Sequence, residues 1–455
     1  MTKPNTDARE VKLFLERGIA NFYPSDTAVE KALRSGKRLK IYSGIDPTGP
    51  TLHLGHAIVF RKLAELQRLG HEVIMLIGDF TAMIGDPTDK AATRKKLTRK
   101  EVLANCKNYK KQASKFLSFS GANAAKLVFN STWLGKMSFG DVVELASHFT
   151  VQQMMVRDMF ERRLRGTIYC ANCLKEFPAP YPDIIQRGDA WTFEGWKEGK
   201  FKCPNCKSVV DLNSARTGHY SSPKPVYLHE FLYPLMQGYD SVAMDVDMEI
   251  GGNDQTFNML AGRTLLKEMK GKEKFVVTTV LLEDSSGKKM GKTEGNMITL
   301  EDGPEEMYGK VMSWTDGMII PGFRLCTDVS ESEIDRIEDL IKKGGNPVAY
   351  KHQLAKEVVT LFHSPKAAQA AADHFLKVHK SHEAPEDMPA ITVKKGMTLV
   401  EALVASNLVS SKTDARRQIE QGGVKADGKV VKDVDAMAKK GSIIQKGKRH
   451  FVKLA

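Results

Sequence analysis

The chain has 455 residues, 42% apolar and 27% charged, with a formal net charge of +13. That length holds about three domains of roughly 150 residues, and the composition excludes a disordered or fibrous chain. No apolar run approaches the roughly 20 residues of a membrane span, and Met1-Thr-Lys-Pro-Asn opens no secretory apolar stretch, so a cytoplasmic protein with no membrane partner is expected. The basic excess gathers at the end: residues 397–455 carry 12 Lys and Arg against 6 Asp and Glu, which favours nucleic acid as a partner.

In chain order, Arg38-Leu-Lys-Ile-Tyr-Ser-Gly44 reads as a strand. A turn through Asp46-Pro47 and Gly49-Pro50 follows, then a helix with Val59, Leu63, Leu66 and Leu69 at helical spacing. The strand Val73 to Ile77 comes next and ends at Gly78. Strand, helix, strand in this rhythm predicts a right-handed βαβ unit of a parallel sheet. Ligands of such sheets lie beyond the carboxyl ends of the strands. There the chain places His53-Leu-Gly55-His56, at a helix start whose free N–H groups favour phosphate.

Residues 151–165 are helical in pattern, whereas 167–222 are rich in cysteine and proline and poor in aliphatics. The α/β pattern resumes at Pro225 and runs through Val276 to Leu282, then reaches the loop Lys289-Met290-Gly291-Lys292-Thr293. After Trp314 the chain turns helical, with Leu354, Val358, Leu361, Ala370 and Phe375 at apolar spacing. His379 to Pro389 has few apolar residues and reads as a linker. The expected organisation is an α/β, Rossmann-like catalytic domain over 1–314 with an insert at 167–222. A helical domain over 315–380, a linker over 381–395 and a small α+β module over 396–455 complete it.

The histidine pair and the lysine loop together describe a site that grips a nucleotide triphosphate from two sides. His53 and His56 share one face of the helix start, and Gly55 between them leaves room for a nucleotide to approach the backbone. Lys289, Lys292 and Thr293, flanked by Gly287 and Gly295, offer mobile cations and a hydroxyl to a leaving pyrophosphate. Attack of a carboxylate on the α-phosphate of ATP needs positioning and positive charge more than covalent help.

These strings resemble the HIGH and KMSKS signatures of class I aminoacyl-tRNA synthetases, and the chain is most similar to the bacterial-type tyrosyl-tRNA synthetases. Tyr42-Ser-Gly-Ile-Asp46-Pro-Thr48, Tyr233-Pro-Leu-Met-Gln237-Gly-Tyr-Asp240 and Gly251-Gly252-Asn-Asp254-Gln255 match three further family segments. The resemblance implies a tyrosine–tRNA ligase with ATP, L-tyrosine and tRNA(Tyr) as substrates, Mg²⁺ on the phosphates, and a homodimer. It implies that Tyr42 and Asp240 bond the substrate phenol, that Asp86, Tyr233 and Gln237 hold its ammonium, and that Gln255 lies near its carboxylate. Asp46, Gly55, Gly252, Asp254 and Met290 would contact ATP. Thr48, Lys90 and Asn130 would order the transition state, with Asn130 at the nucleotide. Tyr233, Gln237 and Asp240, four and then three apart, face one way on a helix. The resemblance also makes the helical domain over 315–380 anticodon-binding; the final segment, with Arg416, Arg417 and Lys425, resembles a small RNA-binding domain shared with a ribosomal protein, and would position RNA through phosphates. A nucleotidyltransferase or a tryptophan ligase would share the fold, but both lack the phenol-facing pair. A non-catalytic RNA-binding paralogue would be expected to have lost the histidines or lysines.

The insert departs from the family pattern. Cys170-Ala-Asn-Cys173 and Cys203-Pro-Asn-Cys206 are two C-x2-C pairs, the arrangement that holds a structural Zn²⁺ between two tight turns. Disulfides are unexpected in the cytosol, and a redox pair would not come twice. Such a ribbon would extend the dimer contact or touch tRNA. Cys106 and Cys326 read as ordinary buried residues, and His219 as a non-ligand.

Overall fold

Five parallel strands and one antiparallel edge strand build the central sheet, in the order Ile19–Tyr23, Phe275–Thr279, Met248–Gly252, Lys40–Ile45, Glu72–Ile77, Lys126–Phe129. Only Ile19–Tyr23 runs antiparallel. The computed structural model describes the whole chain except residues 1–2, 87–95, 156, 180–182, 188–189, 195–199, 212–213, 215, 222, 284–296, 381–387, 395, 407, 410 and 448–449. By chain rank the parallel strands lie 3-2-1-4-5, so the strand order reverses between Lys40–Ile45 and Met248–Gly252. Doubly wound sheets open a ligand crevice at such a reversal.

Val73, Ile74, Met75, Leu76 and Ile77 are all buried, as a strand covered by helices on both faces requires. The helix Leu54–Arg68 starts where the His53 side chain accepts the Gly55 N–H at 3.1 Å, satisfying one of the free donors of a helix start. Its Ala57, Ile58, Phe60, Leu63 and Leu66 are buried, while Val59 is half-buried. The helical pattern over 151–165 is broken into Val151–Met155 and Asp158–Arg165. Between them Arg157 adopts extended backbone and turns its guanidinium inward, over the Phe160 and Phe257 rings at 5.5 Å each.

The chain forms two compact units, Met1–Asp302 with Trp314–Pro347, and Gly303–Ser313 with Val348–Ala455. They do not follow the boundary expected at 314. The helices Ile319–Cys326 and Glu331–Lys342 belong to the first unit, and Arg17 supplies a reason. Its guanidinium donates to the carbonyls of Phe323, Arg324, Thr327 and Val329 at 2.7–3.1 Å, capping the end of Ile319–Cys326 together with Arg61 and the Thr327 hydroxyl. Pro304–Met312 goes the other way: Tyr308 shares a 2.7 Å hydrogen bond with His352 Nδ1 and packs on Phe375. In the helix Pro365–Lys380 it is Ala368, Ala371 and Ala372 that are buried, whereas Ala370, expected inside, is exposed. The second unit also holds a five-stranded sheet, in the order Ala390–Ile391, His450–Leu454, Ile443–Lys446, Val424–Ala426, Lys429–Val430. The helices Leu399–Ala405 and Lys412–Glu420 close its core around Leu403, Ile419, Val424, Ile444 and Val452.

The insert leaves and rejoins the first unit through paired strands. Thr167–Cys170 runs antiparallel to Gly218–Ser221, with Thr167 opposite Ser221. Its two ends therefore lie side by side, which lets a segment be added without moving what flanks it. Gly166 makes the turn at φ 75°, where a Cβ would lie 2.3 Å from the Ser221 carbonyl. Among the described residues, no helix is long and apolar enough to cross a membrane.

Candidate active site

The residues at the strand-order reversal form a continuous polar network. Tyr42, on Lys40–Ile45, is fully buried, and its hydroxyl lies 2.9 Å from Ser241 Oγ. Burial first, then the Glu249 and Asp240 charges, push its pKa well above 10. The helix Leu228–Met244 brings Tyr233, Gln237 and Asp240 to one side. Asp240 accepts from Trp133 Nε1 at 2.8 Å and Asn130 Nδ2 at 3.3 Å. Burial raises its carboxyl well above the usual range against the pull of those two donors.

Asp46, at the end of its strand, accepts from the Tyr233 hydroxyl at 2.9 Å and the Thr81 hydroxyl at 2.7 Å. The chain passes so close at Gly78 that a Cβ there would lie 1.9 Å from Asp46 Oδ1; only glycine fits. Asp86 accepts from Gln255 Nε2 at 2.8 Å and Arg157 Nη2 at 3.3 Å. Asn258 Nδ2 donates to both Gln255 and Gln237 at 2.8 Å. The structure thus brings Tyr42, Asp46, Asp86, Tyr233, Gln237, Asp240 and Gln255 together near the strand-order reversal.

Asn130, expected at the nucleotide, is fully buried. Its amide donates to Thr81 Oγ1 at 3.0 Å and to Asp240, and its oxygen accepts the Phe80 N–H at 2.9 Å. Its place is beneath Asp240. Thr48 is exposed in the following turn, its N–H donating to the Asp46 carbonyl at 2.8 Å. Gly252 precedes the short 3₁₀ turn Asn253–Gln255, and a Cβ on it would meet Asp254 Oδ1 at 2.5 Å.

The His53 and His56 rings lie 3.9 Å apart between centroids, and His56 Nδ1 accepts the His53 N–H at 3.2 Å. Gly55 also meets a local steric requirement. A Cβ there would collide with the His53 ring itself, at 2.9 Å. Lys90, Lys289, Met290, Lys292 and Thr293 lie outside the described residues. Sequence reading missed Trp133, Thr81, Arg157, Ser241, Glu249 and Lys274. One signal was available: Glu249 interrupts the buried strand Met248–Gly252, where a carboxylate needs a partner.

In the insert, Cys170, Cys173, Cys203 and Cys206 bring their four sulfurs within 4.8 Å of one another. Cys170–Cys206 is 3.7 Å and Cys173–Cys203 3.6 Å; a tetrahedron with Zn–S near 2.3 Å has edges of about 3.8 Å. The residue after each second cysteine, Leu174 and Lys207, takes positive φ, 57° and 61°. Their N–H groups reach back to the Cys170 and Cys203 carbonyls at 2.9 and 3.0 Å, so the two knuckles have the same turn. Ser208, 2.9 Å away, leads in holding the Cys206 thiol down to about 5, while burial pushes Cys203 up to about 11. His219 is not among the grouped ligands. Cys326 is buried as expected, but Cys106 is only half-buried.

In the second unit, Arg416 and Arg417 are exposed on the helix Lys412–Glu420, with Arg417 paired to Asp414 at 2.6 Å. Lys425 is half-buried in the adjacent strand.

Residues 34–172 and 203–380 match the family described as tRNA synthetases class I (W and Y). Residues 381–454 match the Tyrosine--tRNA ligase SYY-like C-terminal domain. The unmatched stretch between the two parts of the first match lies inside the cysteine-bearing insert. A tyrosine–tRNA ligase of Moorella thermoacetica is 37% identical, covering 98% of this chain and 96% of its own length. One from Thermotoga maritima is also 37% identical, covering 99% and 98%. In fold, the chain is similar to a tyrosyl-tRNA synthetase from Archaeoglobus fulgidus, solved with L-tyrosine, at TM-score 0.55 and 18% identity. That alignment spans 80% of this chain and 100% of the other.

Proposed function

The chain belongs to the class I tRNA synthetases of the W and Y group, and on that footing we propose how its residues carry out an ATP-dependent tyrosine–tRNA ligation. The ligase joins tyrosine to the 3′ end of tRNA(Tyr) in two steps. Tyrosine carboxylate first attacks the α-phosphate of ATP, giving tyrosyl-adenylate and pyrophosphate. A terminal ribose hydroxyl of tRNA then takes the tyrosyl group.

The observation that carries the assignment of the site is the convergence of Tyr42, Asp86, Tyr233, Gln237, Asp240 and Gln255 on the strand-order reversal. In this reading Tyr42 and Asp240 face the substrate phenol. Asp86, Tyr233 and Gln237 take its ammonium, and Gln255 lies toward its carboxylate. Rejection of phenylalanine by tyrosyl enzymes is itself the standard instance of a site that bonds a hydroxyl and rejects the analogue lacking it. His53 and His56, with Asp46, Thr48, Gly55, Gly252 and Asp254, line the ATP side. Lys289, Met290, Lys292 and Thr293 are assigned by their motif to the ATP phosphates, which bring Mg²⁺ with them, and Lys90 by the resemblance to ordering the transition state. Positive charge placed there stabilises the leaving pyrophosphate.

The four cysteines would hold Zn²⁺, which supplies folding energy to the insert and no chemistry. Homodimer formation is supported by apolar side chains left in solvent: Phe139, Val143, Val151, Tyr227 and Leu228 are all more than half exposed. Gathered into one patch, such residues would mark a protein–protein contact. The cytoplasm is the compartment proposed. In the second unit, Arg416, Arg417 and Lys425 would contact RNA phosphates. Charging of tRNA with labelled tyrosine tests that role: Arg416→Ala with Arg417→Ala should raise the KM for tRNA about tenfold while adenylate formation stays unchanged. An unchanged KM for tRNA would remove the two arginines from the RNA surface.

A further inference from the structure

Beneath the proposed phenol pocket lies an ion pair that the ligase reaction does not require. Lys274 is wholly buried. Its ammonium donates to Glu249 and, at 2.8 Å, to Ser241 Oγ, and its Nζ lies 5.9 Å from the centre of the Tyr42 ring. Ser241 is also wholly buried, 2.9 Å from the Tyr42 hydroxyl. A buried ion pair seldom stabilises a fold more than a well-packed apolar pair would, so its presence under a recognition pocket calls for another account.

We propose that Lys274 and Ser241 set the hydrogen-bond polarity of Tyr42, leaving its hydroxyl to donate to the phenol oxygen of tyrosine while Asp240 accepts the phenol proton. The proposal rests on Tyr42 and Asp240 facing the substrate phenol. An ammonium has donors only, so Ser241 Oγ must accept from Lys274. The serine proton then needs an acceptor of its own, because an unpaired buried donor costs about 1–3 kcal/mol. Among the described residues, the other partner of Ser241 Oγ is the Tyr42 oxygen. Ser241 therefore donates to Tyr42, and the Tyr42 proton must go elsewhere.

One acceptor for that proton is already at hand: the Glu249 carboxylate, Tyr42's partner on the adjacent strand, is within hydrogen-bonding reach of its hydroxyl and helps hold it protonated, so the substrate phenol must compete with Glu249 for it. Lys274 occupies one oxygen of that carboxylate, and Gln237 Nε2 reaches the other at 3.5 Å. Lys274 thus acts twice, polarising Ser241 and restraining Glu249. Asp240, with the Trp133 and Asn130 N–H groups on its oxygens, presents the acceptor side. One donor and one acceptor together match a phenol, which has one of each. Lys274 and Ser241 are positioning residues, acting through Tyr42.

The test is ATP–pyrophosphate exchange with tyrosine and with phenylalanine, for the wild type and three variants. Ser241→Ala removes the relay. Lys274→Met with Glu249→Met replaces the ion pair by an apolar pair without leaving a lone charge. Lys274→Gln with Glu249→Gln restores a neutral N–H donor to Ser241. In the first two variants, the KM for tyrosine should rise about tenfold and the tyrosine-over-phenylalanine ratio of kcat/KM should fall by a similar factor. The KM for ATP should stay unchanged. The glutamine pair should keep the wild-type ratio within about threefold, on the same arithmetic. Ser241→Ala with a wild-type ratio, or a glutamine pair that behaves like the methionine pair, would overturn the proposal. If the methionine pair fails to fold, Ser241→Ala decides. Wild-type enzyme inactive with tyrosine would instead strike the ligase reading, and this proposal with it.

Discussion

His71 is a histidine whose surroundings forbid it a charge. Its ring is wholly buried, and Nδ1 accepts the Leu39 N–H at 3.2 Å, tying the foot of one parallel strand to the next. Nε2 has no hydrogen-bond partner among the described residues. Burial, then the charge of Arg38, push its pKa down from 6.5 to about 4, with Asp247 opposing. The unfolded chain therefore binds a proton from pH 6.5 downward that the folded chain refuses until about 4. Stability from this residue is full above pH 6.5 and is lost as pH falls from 6.5 toward 4, by on the order of 3 kcal/mol for a shift of this size. Urea midpoints at pH 7, 5.5 and 4.5 should fall less steeply in His71→Asn, whose amide oxygen can still accept from Leu39. Parallel slopes in the two proteins would exclude His71 as the source. At the same scale, Gly55 and Gly78 each have a steric requirement that the sequence alone does not display. Gly55 accommodates the His53 ring, and Gly78 accommodates Asp46.

At the scale of elements, the helices Leu228–Met244 and Thr256–Lys270 touch through glycine. A Cβ on Gly238 would lie 3.0 Å from the Gly262 nitrogen and 2.9 Å from Leu265 Cδ1. Gly238→Ala should cost about 1–3 kcal/mol through overpacking, whereas Gly309→Ala, with nothing within 4 Å of the new methyl, should be neutral or stabilise its helix by up to about 1 kcal/mol. Thermal unfolding of the two variants measures the contrast, and equal midpoints would contradict the close approach. The ribbon makes a separate prediction. The purified chain should carry one zinc per polypeptide, and Cys206→Ser should lose it and open residues 167–222 to protease while tyrosine-dependent exchange survives. A metal-free wild type would sink the assignment. The clustering of the four cysteines was legible because two C-x2-C turns leave their thiols free to converge. The buried polar cluster behind Tyr42 was not: Lys274 lies just before the strand Phe275–Thr279, and only tertiary folding puts it beside Ser241 and Glu249.

For the whole molecule, the parallel sheet was legible from its apolar runs and glycine breaks, and the crevice from the position of the histidine motif. The division into units was not. It depends on Arg17 reaching four carbonyls some 300 positions away, and on Tyr308 pairing with His352; neither contact leaves a periodic trace. Nor could the motif show that Asn130 is buried and bonds Asp240, since tertiary folding decides that. On the proposed reading, the phenol, ammonium and phosphate ends of the reactants would meet different groups at the strand-order reversal. The most direct measurement is ATP–pyrophosphate exchange on the purified chain with tyrosine, tryptophan and phenylalanine in parallel. Exchange driven by tyrosine, with tryptophan and phenylalanine at background, is the predicted result; no exchange with tyrosine, or equal exchange with all three, would contradict it.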